Sequence, residues 1–343
     1  MTGGTALDAE LNKSDAVPPA RRPVDIHVHV LGNGKSGSGC RFSLRWWQAP
    51  FIQLMAQHIG LQVSRQDPEL DRLFVERLRA WVRESSIYQA VILACDDVYD
   101  AYGTQHPGLS GLFVPNDYVL ALARRFPEFL PGVSIHPARK DSLDELERCA
   151  QAGAVLLKLL PCVQVVECSN SRYKPFWERL AKLGLPLLAH TGGEFSLPTY
   201  RYDLQSVETL RLPLECGATV IAAHCGAPAL PWHRDYFDQF DKMRRVFPNL
   251  FGDISALSQA THLRTLARLR ADSRQVLYGS DYPVVTSVFW SWTKGWVSRS
   301  EFERLRSIQN PLEKKFRLTK ALGFPDRIFT DFWSLTKAPL GSR

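Results

Sequence analysis

Short runs of apolar residues alternate along the chain with longer segments in which apolar and charged residues recur every three or four positions. Eight short runs cover residues 24–31, 89–96, 130–137, 154–161, 185–192, 218–226, 249–257 and 275–283. Apolar runs of this length, bounded by turn residues, are typical of buried strands. The pattern therefore predicts eight strands.

The segments between the runs have the features of amphipathic helices. Residues 141–153 begin with an acidic turn, carry Leu143, Leu146 and Cys149 at helical spacing, and end on glycine. The same pattern predicts helices over residues 173–184, 234–248 and 261–270, mostly helical structure over 46–86, and two terminal helices after residue 290.

Strands that alternate with helices form right-handed βαβ units and a parallel sheet. Eight of them over about 260 residues predict an α/β fold of the (β/α)8 TIM-barrel type with extra terminal helices. A doubly wound open sheet is the alternative. We expect a flexible N-terminal tail over residues 1–22 and one barrel domain over 23–343, with terminal helices 300–325 packed on it.

Composition and charge narrow the set of partners. The 343 residues are 45% hydrophobic, which is typical of soluble globular proteins, and the net charge of +7 is scattered without a long run of like charges. We therefore expect a small-molecule substrate, no nucleic acid and no membrane, with a homo-oligomer left open. The odd number of cysteines, seven, and the lack of an apolar signal segment favour the cytoplasm.

Polar side chains lie at the carboxyl ends of the predicted strands, where barrel enzymes carry their active sites. They are His27 and His29 on strand one, Lys158 on strand four, His190 on strand five, His224 on strand six and Asp281 on strand eight. Strand alternation places His27 and His29 on the inner face, with Ile26 and Val28 on the other. A single histidine on an apolar strand is usually a hydrogen-bonded core residue. Six unpartnered polar groups at one rim would be costly to bury, so the set predicts a divalent metal.

This ordered set resembles the amidohydrolase superfamily of metal-dependent barrels. The segments LLAHTG, IAAHCG and LYGSDYP are most similar to its amidohydrolase-2 branch, which also contains metal-dependent decarboxylases. The resemblance covers residues 23–290 and implies that His27, His29 and Asp281 bind the more buried metal. It further implies that His190 and His224 bind a second ion, or that His190 joins the first while His224 polarises the substrate.

The resemblance leaves the number of ions open at one or two. Lys158 matches the position at which binuclear members carry a carboxylated lysine between two metals. Imidazole and carboxylate ligands favour zinc, with manganese, iron and cobalt as alternatives.

The sequence thus predicts a hydrolase that uses a metal-activated water to cleave an amide, ester or lactone of a small molecule. Asp281 and His224 are the predicted catalytic residues, with Asp281 as the proton carrier and His224 beside the developing oxyanion. The alternative is a metal-dependent non-oxidative decarboxylase (carboxy-lyase), which needs a cation for the substrate carboxylate. Candidate cations are Lys35, Arg41, Arg45 and Arg201, and the predicted substrate contacts are Arg41 and Glu194.

The loop after strand one contains a misleading motif. Gly32, Gly34 and Gly37 match the dinucleotide fingerprint G-x-G-x-x-G. That fingerprint requires an acidic residue about 20 positions further on. Here the next acidic residue after Gly37 is Asp67, which is too far along the chain. We therefore expect a flexible loop that closes over the metal rather than a nucleotide site.

Overall fold

Eight parallel strands form one sheet in which strands that follow one another in the chain are also neighbours in space. The computed structural model describes residues 22–43, 49–61 and 64–337. In chain order the strands are β1 Val24–His29, β2 Arg41–Phe42, β3 Gln89–Leu93, β4 Leu112–Phe113, β5 Phe129–Val133, β6 Leu156–Leu159, β7 Leu187–His190, β8 Val220–Ala223, β9 Leu250–Asp253 and β10 Val276–Leu277. The large sheet has the order β1-β3-β5-β6-β7-β8-β9-β10, and β2 pairs with β4 in a separate antiparallel ribbon.

Backbone hydrogen bonds join the last strand of this sheet to the first. Ile26 N–H donates to the Tyr278 carbonyl at 3.3 Å, and His29 N–H donates to the Tyr282 carbonyl at 2.8 Å. The Asp281 N–H donates to the His27 carbonyl at 2.9 Å. The sheet is therefore closed, which confirms the (β/α)8 barrel and excludes the open doubly wound sheet.

Helices follow most strands and cover the outside of the sheet. They are α1 Ala49–His58, α2 Leu70–Arg83, α3 Asn116–Arg125, α4 Ser142–Gln151, α5 Pro161–Gln164, α6 Lys174–Leu183, α7 Arg211–Glu215, α8 Phe237–Val246, α9 Leu263–Ala271, α10 Phe289–Thr293, α11 Arg299–Ser307 and α12 Pro311–Ala321. Local signals explain several ends: α6 stops at Gly184 with φ 68°, and the Asn310 side chain accepts from the first N–H groups of α12. Helix α3 lies in a segment for which the sequence pattern predicted no helix.

The lower half of the barrel is filled by apolar side chains from every strand of the large sheet, with β5 and β9 adding the partly buried Leu130 and Phe251. This interior cluster contains Val24, Ile26, Val91, Leu93, Leu156, Leu188, Ile221, Ala223 and Leu277, and Phe332 and Trp333 of the C-terminal segment join it. A packed floor of this kind confines the polar residues to the upper rim.

The predicted alternation along β1 is wrong at one position. Ile26 belongs to the interior cluster with Val24, although His27 also faces inward, while Val28 packs in the outer layer with the helices. The register between β1 and β3 shifts between Asp25 and Val28. This irregularity lets consecutive residues face the same side, as β-bulges do next to many active sites.

The N-terminal tail predicted over residues 1–22 lies outside the described residues except for Arg22. The Arg22 carbonyl accepts a hydrogen bond from the Trp333 indole at 2.9 Å. In the described ranges no helix combines the length and the hydropathy needed to span a membrane.

Candidate metal centre and active site

Two histidines of β1 and one aspartate after β10 form a compact group of metal-type ligands. The Nε2 atoms of His27 and His29 each lie 3.2 Å from Oδ1 of Asp281. One ligand atom from each of the three residues lies within 4.8 Å of the others. His27 and Asp281 are buried, and the side chain of His29 is 19% exposed. The first metal site implied by the sequence is thus assembled in space.

The turn that carries Asp281 fits only because small residues precede it. A Cβ at Gly279 would lie 2.8 Å from the Cβ of His27, so the backbone can approach β1 this closely only at glycine. The Asp25 carboxylate then accepts from Ser280 N–H at 2.9 Å and from His27 N–H at 3.1 Å. Asp281 itself has φ 62°, which turns its side chain back over the barrel mouth.

Hydrogen bonds at the far ring nitrogens orient two of the imidazoles. Nδ1 of His27 lies 2.8 Å from Oδ2 of Asp253, and Nδ1 of His224 lies 3.1 Å from the Ser255 carbonyl. Each Nδ1–H is a donor to its oxygen, so each Nε2 presents its lone pair toward the barrel mouth. Asp253 also accepts from the His224 N–H at 2.8 Å and so positions two histidines at once.

Sequence reasoning missed Asp253. The residue ends β9 at the same rim as the predicted ligands, and that placement was the available signal. Its contact with His27 could not be read from the chain, because β9 and β1 are not neighbours in the sheet and their residues meet only across the barrel.

His190 and His224 extend the group across the mouth. Their ring centroids are 4.9 Å apart, and the His224 ring lies 5.3 Å from that of His27. Nε2 of His190 is buried without a hydrogen-bond partner among the described residues, and it lies 3.6 Å from Oε2 of Glu194. A buried, unpartnered lone pair of this kind is the arrangement that a metal ion satisfies.

Lys158 reaches the same centre from β6. Its Nζ lies 2.9 Å from Nε2 of His27, and the side chain is buried. Burial lowers the pKa of this amine from its ordinary value. All six rim residues predicted from the sequence therefore lie around one centre.

The electrostatic state of the group suits a divalent cation. Burial lowers the pKa of His27 to about 4 and also lowers the pKa of His29 and His190, so these rings are neutral near pH 7. Burial alone would raise the pKa of Asp281, but the imidazoles around it, above all His27, hold that pKa well below its ordinary value. Neutral imidazoles and an ionised carboxylate are the forms that bind zinc and its neighbours.

A cavity of about 730 Å³ opens above this centre. Its inner end is formed by His29, His190, Glu194, His224 and Asp281. Glu194 lines the cavity, and its Oε1 accepts from the N–H groups of Ser196 and Leu197, at 2.5 and 3.0 Å.

The cations proposed as substrate contacts are engaged elsewhere. Arg41 pairs with Asp97 at 2.5 Å and stacks on Phe113, and it is not part of the cavity wall. Lys35 donates to the Gln66 carbonyl at 2.8 Å, and Arg201 pairs with Asp203 at 2.6 Å. Arg45 lies outside the described residues.

The glycine-containing loop after β1 is tied to α2 by one buried carboxylate. Asp71 accepts from Asn33 N–H at 2.6 Å, from Gly34 N–H at 3.1 Å and from the Ser38 hydroxyl. An anionic side chain thus occupies the N–H groups that a phosphate would need. These contacts oppose the expected lid motion of this segment.

Comparison with known proteins decides the family. The model for the amidohydrolase-2 family, described as amidohydrolase, matches residues 24–305. The chain belongs to this amidohydrolase family. This confirms the resemblance seen in the rim motifs, and it makes the chain a member of an enzyme family whose members bind a divalent metal.

Several solved structures are similar to this amidohydrolase, and the first of the three below agrees with its fold. An uncharacterized TIM-barrel protein from Bordetella bronchiseptica is 18% identical, with 88% of this chain and 100% of that chain covered and a TM-score of 0.54. A 4-oxalomesaconate hydratase from Rhodopseudomonas palustris is 17% identical, with coverage of 88% and 97% and a TM-score of 0.48. A 2,6-dihydroxybenzoate decarboxylase from Rhizobium is 16% identical, with coverage of 88% and 98% and a TM-score of 0.43. No curated protein sequence matches the chain.

The Asp253→Asn substitution is expected to weaken metal binding by about 10- to 100-fold, the usual effect of losing the partner of a ligating histidine. Asparagine keeps the size of the side chain but cannot hold His27 in the Nδ1–H form by charge. Competition with a calibrated chelator measures the affinity. The control is Asp203→Asn, which alters an exposed carboxylate whose ion-pair partner among the described residues is Arg201. Equal affinities in both variants would contradict the role of Asp253.

Proposed function

We propose that the protein is a metal-dependent hydrolase that cleaves an amide, ester or lactone bond of a small molecule. The observation that carries this proposal is the His27–His29–Asp281 group at the inner end of a large cavity. In the proposed arrangement these three residues hold the first ion, with zinc favoured. His190 and His224 complete its surroundings or hold a second ion.

The reaction needs a nucleophilic water, a proton acceptor and a partner for negative charge on the substrate. A bound divalent cation polarises a carbonyl oxygen and lowers the pKa of water. Asp281 is ionised and can accept the proton from water at Oδ1, then return it to the leaving group. The His224 ring is fixed by Ser255 at Nδ1, so its Nε2 is held at the cavity end, beside the developing oxyanion.

The lining of the cavity favours hydrolysis over decarboxylation. A decarboxylase must hold the substrate carboxylate, usually with arginine or lysine. Among the residues whose side chains are described, neither lysine nor arginine lines the cavity. A neutral carbonyl compound needs no such cation.

Isotope incorporation tests the proposal directly. Phenyl esters and aryl lactones are incubated with metal-loaded protein in ¹⁸O-labelled water, and the masses of the carboxylate products are measured by mass spectrometry. We expect one ¹⁸O atom in each new carboxylate. Carbon dioxide release from aromatic carboxylates, with no hydrolysis of any neutral ester, lactone or amide, would contradict the proposal and support the decarboxylase.

We also propose that Lys158 is carboxylated in the loaded enzyme. Its buried amine has a lowered pKa, and the neutral amine is the form that reacts with carbon dioxide. The resulting carbamate would supply anionic oxygen beside His27 and support a second ion.

On this basis Lys158→Ala should lower the metal content from two ions per chain toward one. Added bicarbonate or a short carboxylate such as acetate or formate should restore the second ion in part by supplying the missing anionic oxygen. Elemental analysis of wild type and variant measures the change. An identical content of one ion in both would refute the carbamate and leave Lys158 as a cation beside His27.

A further inference from the structure

We propose that the substrate is an uncharged compound with a large apolar group, and that this group fills the outer part of the cavity above the metal centre. The inference rests on the proposed hydrolase function and names the substrate class. It comes from the chemistry of the cavity wall, which is separate from the chemistry of the rim residues.

The wall away from the rim residues is built mostly from hydrocarbon. Its members come from loops, helices and the β2–β4 ribbon, and include Leu31, Phe42, Leu112, Leu230, Val285 and Trp290. An apolar wall binds a ligand by removing apolar surface from water, and it offers no compensation to a buried charge.

Two polar side chains in the wall have partners within the protein. The Gln259 amide donates to the Val285 carbonyl at 2.9 Å, and the Thr261 hydroxyl donates to the Ala229 carbonyl at 3.3 Å. These two groups are therefore less available to bind a sugar, a peptide backbone or another hydroxyl-rich compound.

The charge of the cavity also disfavours an anionic group away from the reacting carbonyl. The acidic side chains of Glu194 and Asp281 line its inner end. Lys35, Arg41 and Arg201 are each bonded to other residues outside the wall. A second carboxylate or a phosphate on the substrate would have no cationic partner among the described side chains.

The size and the mouth of the cavity fit the same class. A volume of about 730 Å³ lies in the range of sites that enclose a drug-sized ligand. Apolar residues are exposed at or next to its wall: Leu54 at 51%, Trp232 beside Pro231 at 77%, and Phe289 beside Trp290 at 45%. Exposed apolar surface at a cavity mouth is a feature of sites that receive apolar ligands.

Binding without turnover tests the wall by itself. The purified holoenzyme is titrated by calorimetry with 1-pentanol through 1-octanol and with octane-1,8-diol. We expect affinity to rise about fourfold for each added methylene, as complete burial predicts. The diol should bind at least tenfold more weakly than 1-octanol, because its second hydroxyl enters a wall without a partner. Affinity independent of chain length would overturn the substrate class.

The turnover of two esters that differ in a terminal carboxylate tests whether the cavity wall disfavours a charged substrate. We expect kcat/KM for phenyl octanoate to exceed that for the mono-phenyl ester of suberic acid, which carries a carboxylate at the far end, by 100-fold or more. Leu230→Arg places a cation in the wall and should reduce this ratio at least tenfold. Leu143→Arg, on the exposed face of α4, is the matched control and should leave the ratio unchanged.

The binding and turnover experiments distinguish the proposed substrate class from the proposed hydrolase function. Chain-length-dependent binding of alcohols without hydrolysis of any ester would support the substrate class and refute the hydrolase. Hydrolysis with equal or better use of the charged ester would refute the substrate class and support the hydrolase.

Discussion

Removal of the divalent metal should reduce turnover below detection, and addition of one divalent ion should restore it. Without the cation the centre loses the group that lowers the pKa of water, and the imidazoles of His27, His29 and His190 cannot replace it because they are neutral near pH 7. The measurement is the rate of ester hydrolysis before chelation, after exhaustive chelation and after addition of zinc, manganese, iron or cobalt.

The chelated protein must be shown to be folded and empty. Circular dichroism and elemental analysis of the same sample provide these controls. Full turnover by protein that contains no metal would contradict the proposed mechanism at its first step.

The Asp281→Asn substitution should lower kcat by about 100-fold or more while the fold and most of the metal are retained. Asparagine is close in size and still offers an oxygen ligand, but it cannot accept the proton of the attacking water. The backbone bond from the N–H of residue 281 to His27 does not depend on the side chain. Initial rates, metal content and thermal melting of the variant separate catalysis from stability.

The pH–rate profile gives a second measure of the same residue. Because its imidazole neighbours keep the pKa of Asp281 low, loss of activity in acid should begin below the ordinary carboxyl range in the wild type. That acidic limb should flatten in Asp281→Asn and persist in Asp203→Asn. Normal turnover with intact metal in Asp281→Asn would show that another residue carries the proton, with His224 as the next candidate.

The rim residues could be predicted from the sequence because all strands of a parallel barrel end at the same rim. Residues at the carboxyl ends of the strands therefore lie near one another. Histidines at the ends of predicted strands one, five and six had to meet once the strands were parallel and adjacent in order. Lys158, one residue before the end of β6, followed by the same argument. This prediction of the rim residues required neither the exact strand ends nor their hydrogen-bond partners.

Features that depend on local irregularity or on contacts across the barrel could not be predicted. The shift in β1 that lets Ile26 and His27 face the same side has no signal in an alternating pattern. The pairing of Asp253 with His27 joins residues 226 positions apart. Arg41 was a reasonable substrate contact by its position after strand one, but the β2–β4 ribbon directs it to Asp97 instead.

The most direct test is the metal content of purified protein and its dependence on the two histidines of the ligand cluster. Elemental analysis should find one or two divalent ions per wild-type chain. Both His27→Ala and His29→Ala should lose at least one ion per chain, while His106→Ala, which removes a histidine paired with Asp100 away from the cavity, should retain the wild-type content. Wild-type metal content in folded His27→Ala and His29→Ala would contradict the central claim that this group is the metal site.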